Sequence, residues 1–316
     1  LCKAGHPSMP PSSLVELVAA YKEDTHATVW KAIASVLVSV DNMLLGASGD
    51  KAAALREDFS AFAARLVVPA AEKIGWISRD DDGHLGKLLR ATLIGLQARF
   101  CSKDESVKTK ARALWDAYFN GDKDAIASDI KESVFKVVIG NGSAVEFNQM
   151  MSHLETLDSD TDRKNVFNTI GSLPTVALKR KVLDWATSGG VKLQDFFYPI
   201  GSVSQSSAEG LDTAWAYFQE NFERISSMLG SASSWIMDSV VLNSISGYAT
   251  VAKAEEIEAF FEAHPLPLSS RKIAQALENI RVSAAYCDRL VSSQPSISTV
   301  VAELYARGHT GSVPLE

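Results

Sequence analysis

Apolar residues recur every three or four positions along most of this chain, which is the period of an amphipathic helix. One predicted helix shows the pattern clearly, with an apolar face formed by Val29, Ile33, Val36, Leu37, Val40 and Leu44. No convincing run of alternating apolar and polar residues interrupts it, so no β-sheet is predicted. The sequence therefore predicts an all-α fold.

Glycines mark the ends of several predicted helices, because glycine adopts the left-handed conformation that ends a helix without steric cost. The predicted ends lie at Gly121, Gly142, Gly171 and the pair Gly189 and Gly190. Residues 201–210 are small and polar, so they predict a loop between two helices.

Signals for helix starts agree with this division. Ser102 and Glu105 have capping-box spacing before a helix over residues 107–119, and Asp160 and Thr161 are placed to cap a later helix. The segments amount to about fifteen helices with short connections. This pattern predicts a superhelical solenoid of antiparallel HEAT-like pairs, whose concave face is open to binding.

Charge and composition limit the partners. The formal net charge of −7 disfavours nucleic acid, which requires a concentrated basic surface. The one basic run, residues 179–181, is interpreted as a solvated helix face. We find no apolar stretch of the ~18 residues that a bilayer requires, so no membrane partner is predicted.

The cysteines and the two chain ends give further expectations. Cys2, Cys101 and Cys287 are odd in number and widely spaced, which predicts free thiols in a reducing compartment; the alternative is a fragment of a secreted protein, which would show the same pattern. The first residue is Leu1 rather than methionine, so we expect a segment of a longer protein. The predicted unit is one helical domain over residues 1–314, with residues 315–316 a possible cloning remnant.

Catalytic patterns are not found in the sequence. It contains no H-E-x-x-H, and its histidines, at positions 6, 26, 84, 153, 264 and 309, have no second histidine within a turn. No zinc site is therefore predicted in this chain. Cys101 and Cys287 are interpreted as buried thiols rather than nucleophiles. The acidic run Asp80, Asp81 and Asp82 lacks the spacing of a calcium loop and is interpreted as a helix cap.

Two groups of residues carry a family resemblance. The first comprises Ile74, Gly75, Trp76, Gly83, His84, Leu85, Leu88, Leu89 and Arg90. The second comprises residues 258–265 (EAFFEAHP), Arg271, Gln275, residues 278–280 and Ala284 with Ala285. With these motifs the chain resembles, up to about Leu290, the helical C-terminal domain of the puromycin-sensitive-type zinc aminopeptidases. Phe222, Ser283 and Tyr286 depart from the residues usual in that family.

The resemblance implies a bowl of helix pairs that closes over a separate upstream catalytic domain, which holds the zinc and cleaves residues from peptide N-termini. The expected partners are that domain and peptide substrates, with no cofactor in this chain. The residues implied to border the substrate chamber are Trp235, Gly247, Tyr248, Arg271, Gln275 and Glu278. For Trp235 a core position is an equal alternative, and for the last three a structural polar network is the alternative.

One departure bears on the branch of the family. The endoplasmic-reticulum members hold a peptide C-terminus with a Tyr-Lys pair and a distant Arg, whereas Leu44 with Leu45, and Gly171 with Ser172, stand near those positions here. The resemblance therefore favours the cytosolic branch. The predicted function is an accessory and regulatory domain that is inactive alone. The alternative is a stand-alone helical scaffold that binds peptides or proteins.

Overall fold

The computed structural model describes residues 10–79, 81–230 and 234–308, and within these ranges it contains sixteen α-helices and no strand. The helices are α1 (Ser12–Ala20), α2 (Ala27–Gly46), α3 (Asp50–Ile74), α4 (His84–Phe100), α5 (Glu105–Phe119), α6 (Lys131–Gly140), α7 (Ala144–Glu155), α8 (Asp160–Phe167), α9 (Val176–Trp185), α10 (Phe197–Ser204), α11 (Ala208–Glu220), α12 (Phe222–Leu229), α13 (Ser234–Ile245), α14 (Val251–Ala263), α15 (Ser270–Ser292) and α16 (Ile297–Gly308). The all-α prediction is confirmed. The predictions about Cys2, Asp80 and residues 315–316 fall outside the described residues.

The caps of two helices differ from the predicted ones by one or two residues. Asp104, not Ser102, caps α5, where its carboxylate accepts two amide N–H bonds at 2.9 and 3.2 Å. Ser159, rather than Asp160 or Thr161, caps α8. The reason is the same at both helices. Several oxygen-bearing side chains lie close to each helix start, and the residue with the extended backbone of an N-cap forms the cap.

A true capping box begins α7. The side chain of Ser143 caps the helix, and the Glu146 carboxylate accepts the Ser143 amide N–H at 2.7 Å. Among the predicted glycine stops, Gly121 and Gly189 have left-handed φ angles of 115° and 93°. Gly171 does not, because it lies inside the short 3₁₀ turn Ile170–Ser172.

The predicted loop over residues 201–210 was wrong. Most of its first half belongs to α10, and Ser207 caps α11, so the connection between the two helices is short. The small residues serve close packing. The Gly171 amide donates to Ser202 Oγ at 2.7 Å, and a Cβ on Gly171 would lie 2.2 Å from the backbone nitrogen of Val203. A composition typical of loops therefore marks a crowded helix.

Alternate helices form an inner row. Contacts run from α2 to α4 and α6, through the turn Ile170–Ser172 to α10, and then to α13 and α15. Helix α15 in turn contacts α2, so the row closes into a ring. The remaining helices pack outside it, as α3 does against α2 and α4, and α11 against α9 and α10. The sequence predicted stacked pairs, but it did not predict closure.

The closure joins the first and last parts of the chain. The amide of Ala249 donates to the carbonyl of Gly46 at 2.9 Å, and the thiol of Cys287 donates to the carbonyl of Met43 at 3.3 Å. One hydrophobic cluster contains Trp30 near the start of the chain together with Leu290 near its end. A second, larger cluster fills the rest of the ring.

Helix α2 corrects one expectation from the sequence. By length and composition it could cross a membrane, contrary to the expectation that no apolar stretch is long enough. Half of its most apolar window is buried within the fold, where α2 packs against α3, α4 and α15. Trp30 and Leu37 on this helix are completely buried. Core packing accounts for its apolar composition.

Candidate functional site

Two neighbouring cavities open on the inner row of helices. The first has a volume of about 460 Å³ and the second of about 620 Å³. Asn42, Leu45 and Gln205 line both, so the cavities form one continuous depression, which we call the groove. Its walls come from the ring helices α2, α4, α6, α10, α13 and α15, and also from α3, α9 and α11, which contribute Arg56, Lys179 and Glu209.

The first cavity contains two of the candidate residues. Gly247 and Tyr248 follow α13 and line this cavity together with Asn243. The Tyr248 hydroxyl donates to the Asp212 carboxylate at 2.8 Å. Burial, followed by this bond to a carboxylate, raises the pKa of Tyr248 far above its usual value, so the phenol stays protonated. Ser283, which departs from the family pattern, lines the same cavity.

The second cavity is lined by charged side chains. The Asp41 carboxylate accepts from Arg56 Nε at 2.8 Å and from Arg99 Nε at 2.7 Å, and its residue is almost completely buried. The two guanidinium groups therefore hold one buried carboxylate between α2, α3 and α4. Such an arrangement satisfies the buried charge and fixes the wall of the cavity.

The basic run over residues 179–181 was interpreted as a solvated helix face, and for Lys179 this was wrong. Lys179 is only 2% exposed and lines the second cavity. Its ammonium group donates to the carbonyls of Gly171, at 3.4 Å, and of Leu173. Arg180 instead forms an ion pair with Glu220 at the surface. The run thus contains one buried lysine that the helical pattern did not distinguish from its neighbours.

The structure separates Trp235 from the groove. Trp235 lies at the start of α13 and Gly247 just after its end, a helix of 12 residues that spans about 18 Å. The indole is 55% exposed and contacts the Phe197 ring at 6.0 Å, so the alternative of a core tryptophan is wrong. Trp235 therefore lies at the opposite end of α13 from Gly247 and lines neither cavity.

The three candidates on α15 also lie apart from the groove. Arg271, Gln275 and Glu278 are exposed and line neither cavity. Within the described residues they form no hydrogen bond or ion pair with one another, so the expected polar network among them is not found. Their spacing of about one turn places all three on the same exposed face of the helix.

The acidic run before α4 has a different role from the predicted helix cap. The N-cap residue of α4 is Gly83 rather than an aspartate, and no side chain caps this helix. Asp82 instead accepts from the Arg79 amide at 2.6 Å and lies 2.5 Å from Nη2 of the fully buried Arg90. Nη1 of Arg90 has no hydrogen-bond partner within the described residues. This pair connects the Gly75 to Gly83 segment to α4.

The titratable groups in the described ranges do not form a metal site or an activated nucleophile. No group of three or more His, Cys, Asp and Glu side chains there is placed to hold a metal ion. Cys101 and Cys287 are free and buried, and burial raises the pKa of each thiol to about 11. A thiol with such a pKa is protonated at neutral pH and is a poor nucleophile.

The structure therefore shows an all-helical domain with a groove on its inner row of helices. The sequence profile of the ERAP1-like C-terminal domain matches residues 1–282, and the chain belongs to this family. The resemblance drawn from the two groups of motif residues is thereby confirmed.

Several curated proteins are similar to the chain over most of its length. It is 23% identical over 296 residues to Aminopeptidase M1-B of Oryza sativa subsp. japonica, covering 93% of this chain and 33% of that protein. It is 24% identical to Aminopeptidase M1 of Arabidopsis thaliana, with 93% and 32% covered. Alanine/arginine aminopeptidase of Saccharomyces cerevisiae is 23% identical, with 88% and 32% covered. The chain thus spans about a third of the length of these relatives.

Proposed function

We propose that this chain is the accessory C-terminal domain of a cytoplasmic zinc aminopeptidase that removes residues from the N-termini of peptides. In this role it closes the substrate chamber over an upstream catalytic domain and helps to select peptides. The relatives named above are aminopeptidases about three times as long as the aligned region. The observation that carries the proposal is the groove, because its amide side chains can form hydrogen bonds with a peptide backbone.

The lining of the groove suits a peptide backbone. Asn42, Gln205 and Asn243 present side-chain amides, which both donate and accept hydrogen bonds. Gly247 lines the first cavity beside the buried Tyr248. We assign Gly247 and Tyr248 to the chamber wall. We expect no substrate contact within the groove from the other four candidates, which line neither cavity: Trp235, Arg271, Gln275 and Glu278.

The chemical step belongs to the other part of the longer protein. A zinc ion there would be held by two histidines one turn apart and a further carboxylate, and it would activate the water that attacks the peptide bond. The contribution of this chain is enclosure, which excludes bulk water and limits the length of peptide that fits.

The first test compares two proteins from the same gene. One is the chain alone and the other includes the upstream coding region, and each is assayed with an aminoacyl fluorogenic substrate with and without added zinc. We expect zinc-dependent turnover only for the longer protein. A coding region without an upstream H-E-x-x-H, together with no turnover, would replace this proposal by the stand-alone scaffold.

The second test addresses the chamber directly. Gln205 is exposed and lines both cavities, so Gln205→Trp narrows the groove where the two cavities meet. In the longer protein we expect this variant to slow hydrolysis of a ten-residue peptide several-fold while the short fluorogenic substrate is cleaved normally. Gln194→Trp, at an exposed residue outside both cavities, is the matched control. Equal hydrolysis of the long peptide by both variants would contradict a chamber role for the groove.

A further inference from the structure

The second cavity has the opposite charge from the protein as a whole. The chain carries a formal net charge of −7. The lining of the cavity includes five basic side chains, namely Arg56, Arg99, Lys103, Lys136 and Lys179. Only two acidic side chains line it, Asp41 and Glu209, so its net formal charge is +3. A concave surface of one sign concentrates its electric field and attracts ligands of the other sign.

The two carboxylates do not neutralise the exposed Lys103 or the buried Lys179. The Asp41 carboxylate lies 2.8 Å from Arg56 Nε and 2.6 Å from Arg99 Nη2. Glu209 forms no ion pair within 4.0 Å among the described residues, and neither do Lys103 and Lys179. The positive charge of these lysines is therefore balanced only by more distant groups and by water.

Both lysines are held in position by neutral acceptors. Lys103 Nζ donates to the Gly140 carbonyl and to the Asn141 side chain, both at 3.0 Å. Lys179 Nζ donates to the carbonyls of Gly171 and Leu173. An ammonium group has three N–H bonds, so on each lysine one N–H has no acceptor among the described residues. The carbonyls position the two charges without cancelling them.

The electrostatics of Lys179 agree with this view. Burial lowers its pKa to about 8, Glu209 opposes the change, and the charge of Lys103 adds to it. The two lysines therefore repel each other across the cavity. A negative group placed between them would remove this repulsion.

We propose that the second cavity selects acidic peptides by binding their side-chain carboxylates at Lys103 and Lys179. This inference rests on the proposed peptide-binding role and adds a substrate class to it. Arg56 and Arg99 are paired with Asp41, and Lys136 is paired with Glu132, which leaves Lys103 and Lys179 as the charges open to a ligand. The volume of about 620 Å³ and these two charges exceed what one carboxylate uses, so a peptide with more than one acidic side chain is the better complement. Phosphate and a peptide's terminal carboxylate are the competing sources of negative charge.

The test measures peptide binding to the chain itself by fluorescence anisotropy at low and at physiological salt. Two labelled peptides of equal length are compared, one with three Glu and the other with three Gln at the same positions, both amidated at the C-terminus. We expect the Glu peptide to bind about tenfold more tightly, with a preference that declines as salt rises. Equal affinity for the two peptides would overturn the proposal.

Variants then locate the binding. Lys103→Gln should reduce the preference for the Glu peptide about threefold or more, since one of the two carboxylate partners is lost. Lys110→Gln makes the same charge change at an exposed lysine outside the cavity and should leave the preference intact. A preference unchanged in Lys103→Gln, or equally reduced in both variants, would contradict binding at this site.

Two further measurements separate the sources of charge. The neutral peptide with a free C-terminus should bind no better than its amidated form, and inorganic phosphate should not displace the Glu peptide at equal concentration. Either result reversed would overturn the assignment to acidic side chains. Because these measurements need no catalytic domain, their failure is distinguishable from a failure of the aminopeptidase proposal.

Discussion

Gly46 and Gly247 meet with no room for a side chain between them. A Cβ atom on Gly46 would lie 1.8 Å from the carbonyl oxygen of Gly247 and 3.0 Å from the Cα of Tyr248. Both obstacles are backbone atoms, which cannot rotate away as a flexible side chain can. Glycine at position 46 therefore allows α2 to approach the turn after α13 and close the ring.

Gly46→Ala should destabilise the protein by about 1–3 kcal/mol, the range for overpacking a close contact. The backbone must separate to admit the methyl group, which disturbs the hydrogen bond from Ala249 to the Gly46 carbonyl. Urea denaturation followed by circular dichroism measures the change. Gly95→Ala, inside α4 with only the Ser133 hydroxyl 3.8 Å away, should instead stabilise by up to about 1 kcal/mol. The same sign for both variants would refute the close-approach argument.

Arg90→Met should cost about 1–3 kcal/mol of unfolding free energy, because it removes a fully buried guanidinium group that pairs with the partly exposed Asp82. Arg90 also donates through Nε to the Gly75 carbonyl at 3.2 Å, so the variant loses two contacts to the segment before α4. The side chain of the neighbouring Arg79 is exposed. Arg79→Met is therefore the control, with an expected change below about 0.5 kcal/mol. Similar midpoints for the two variants would disprove the structural role of Arg90.

Cys101 and Cys287 should resist thiol reagents in the native state. Burial raises the pKa of both thiols to about 11, with the nearby Asp104 and Asp288 charges adding to the effect. In a Cys2→Ser background, we expect almost no reaction with a disulfide reagent at pH 8 and two reactive thiols per chain after denaturation. Rapid labelling of either cysteine before unfolding would show that its thiol is accessible.

Lys179 should make stability rise with pH in the alkaline range. Its pKa is about 8 in the fold against 10.5 for the free side chain, so between these values the unfolded chain binds the proton and the folded chain does not. The contribution of Lys179 to the free energy of unfolding is therefore lowest below pH 8, where the buried amine is charged. Between pH 7.5 and 10 we expect a gain of about 2 kcal/mol for the wild type relative to Lys179→Met.

That comparison requires the difference between two proteins rather than one curve. Cys101 and Cys287 titrate in the same region with the opposite sign, because their pKa values are raised, and they are present in both proteins. Their contributions cancel in the difference. Lys110→Met, which removes an exposed lysine, should follow the wild type throughout. If Lys179→Met also followed the wild type, the amine would not be buried in its neutral form.

The helical class and the family were predictable from the sequence because both depend on patterns that extend over many residues. The amphipathic period and motifs such as Gly83, His84 and Leu85 are local, and a local signal survives without knowledge of the fold. The free state of Cys101 and Cys287 followed from their number and spacing.

The errors arose where distant packing decides the outcome. Gly201 and Ser202 have the composition of a loop, yet they are buried in a helix because α10 packs against the turn Ile170–Ser172 and against α13. Lys179 lies in a basic run that resembles a solvated surface, and only the carbonyls of Gly171 and Leu173 explain its burial. Those partners are set by tertiary contacts, which spacing along one helix does not reveal.

The contact of α15 with α2 also determines how the protein comes apart. In an open repeat array each unit depends only on its neighbours, and the terminal units can fray one at a time. Here Trp30 and Leu290 belong to one hydrophobic cluster, so melting the last helices would expose the first ones to water. The domain should therefore lose its structure as a single cooperative unit, and shortening it at one end should weaken the other.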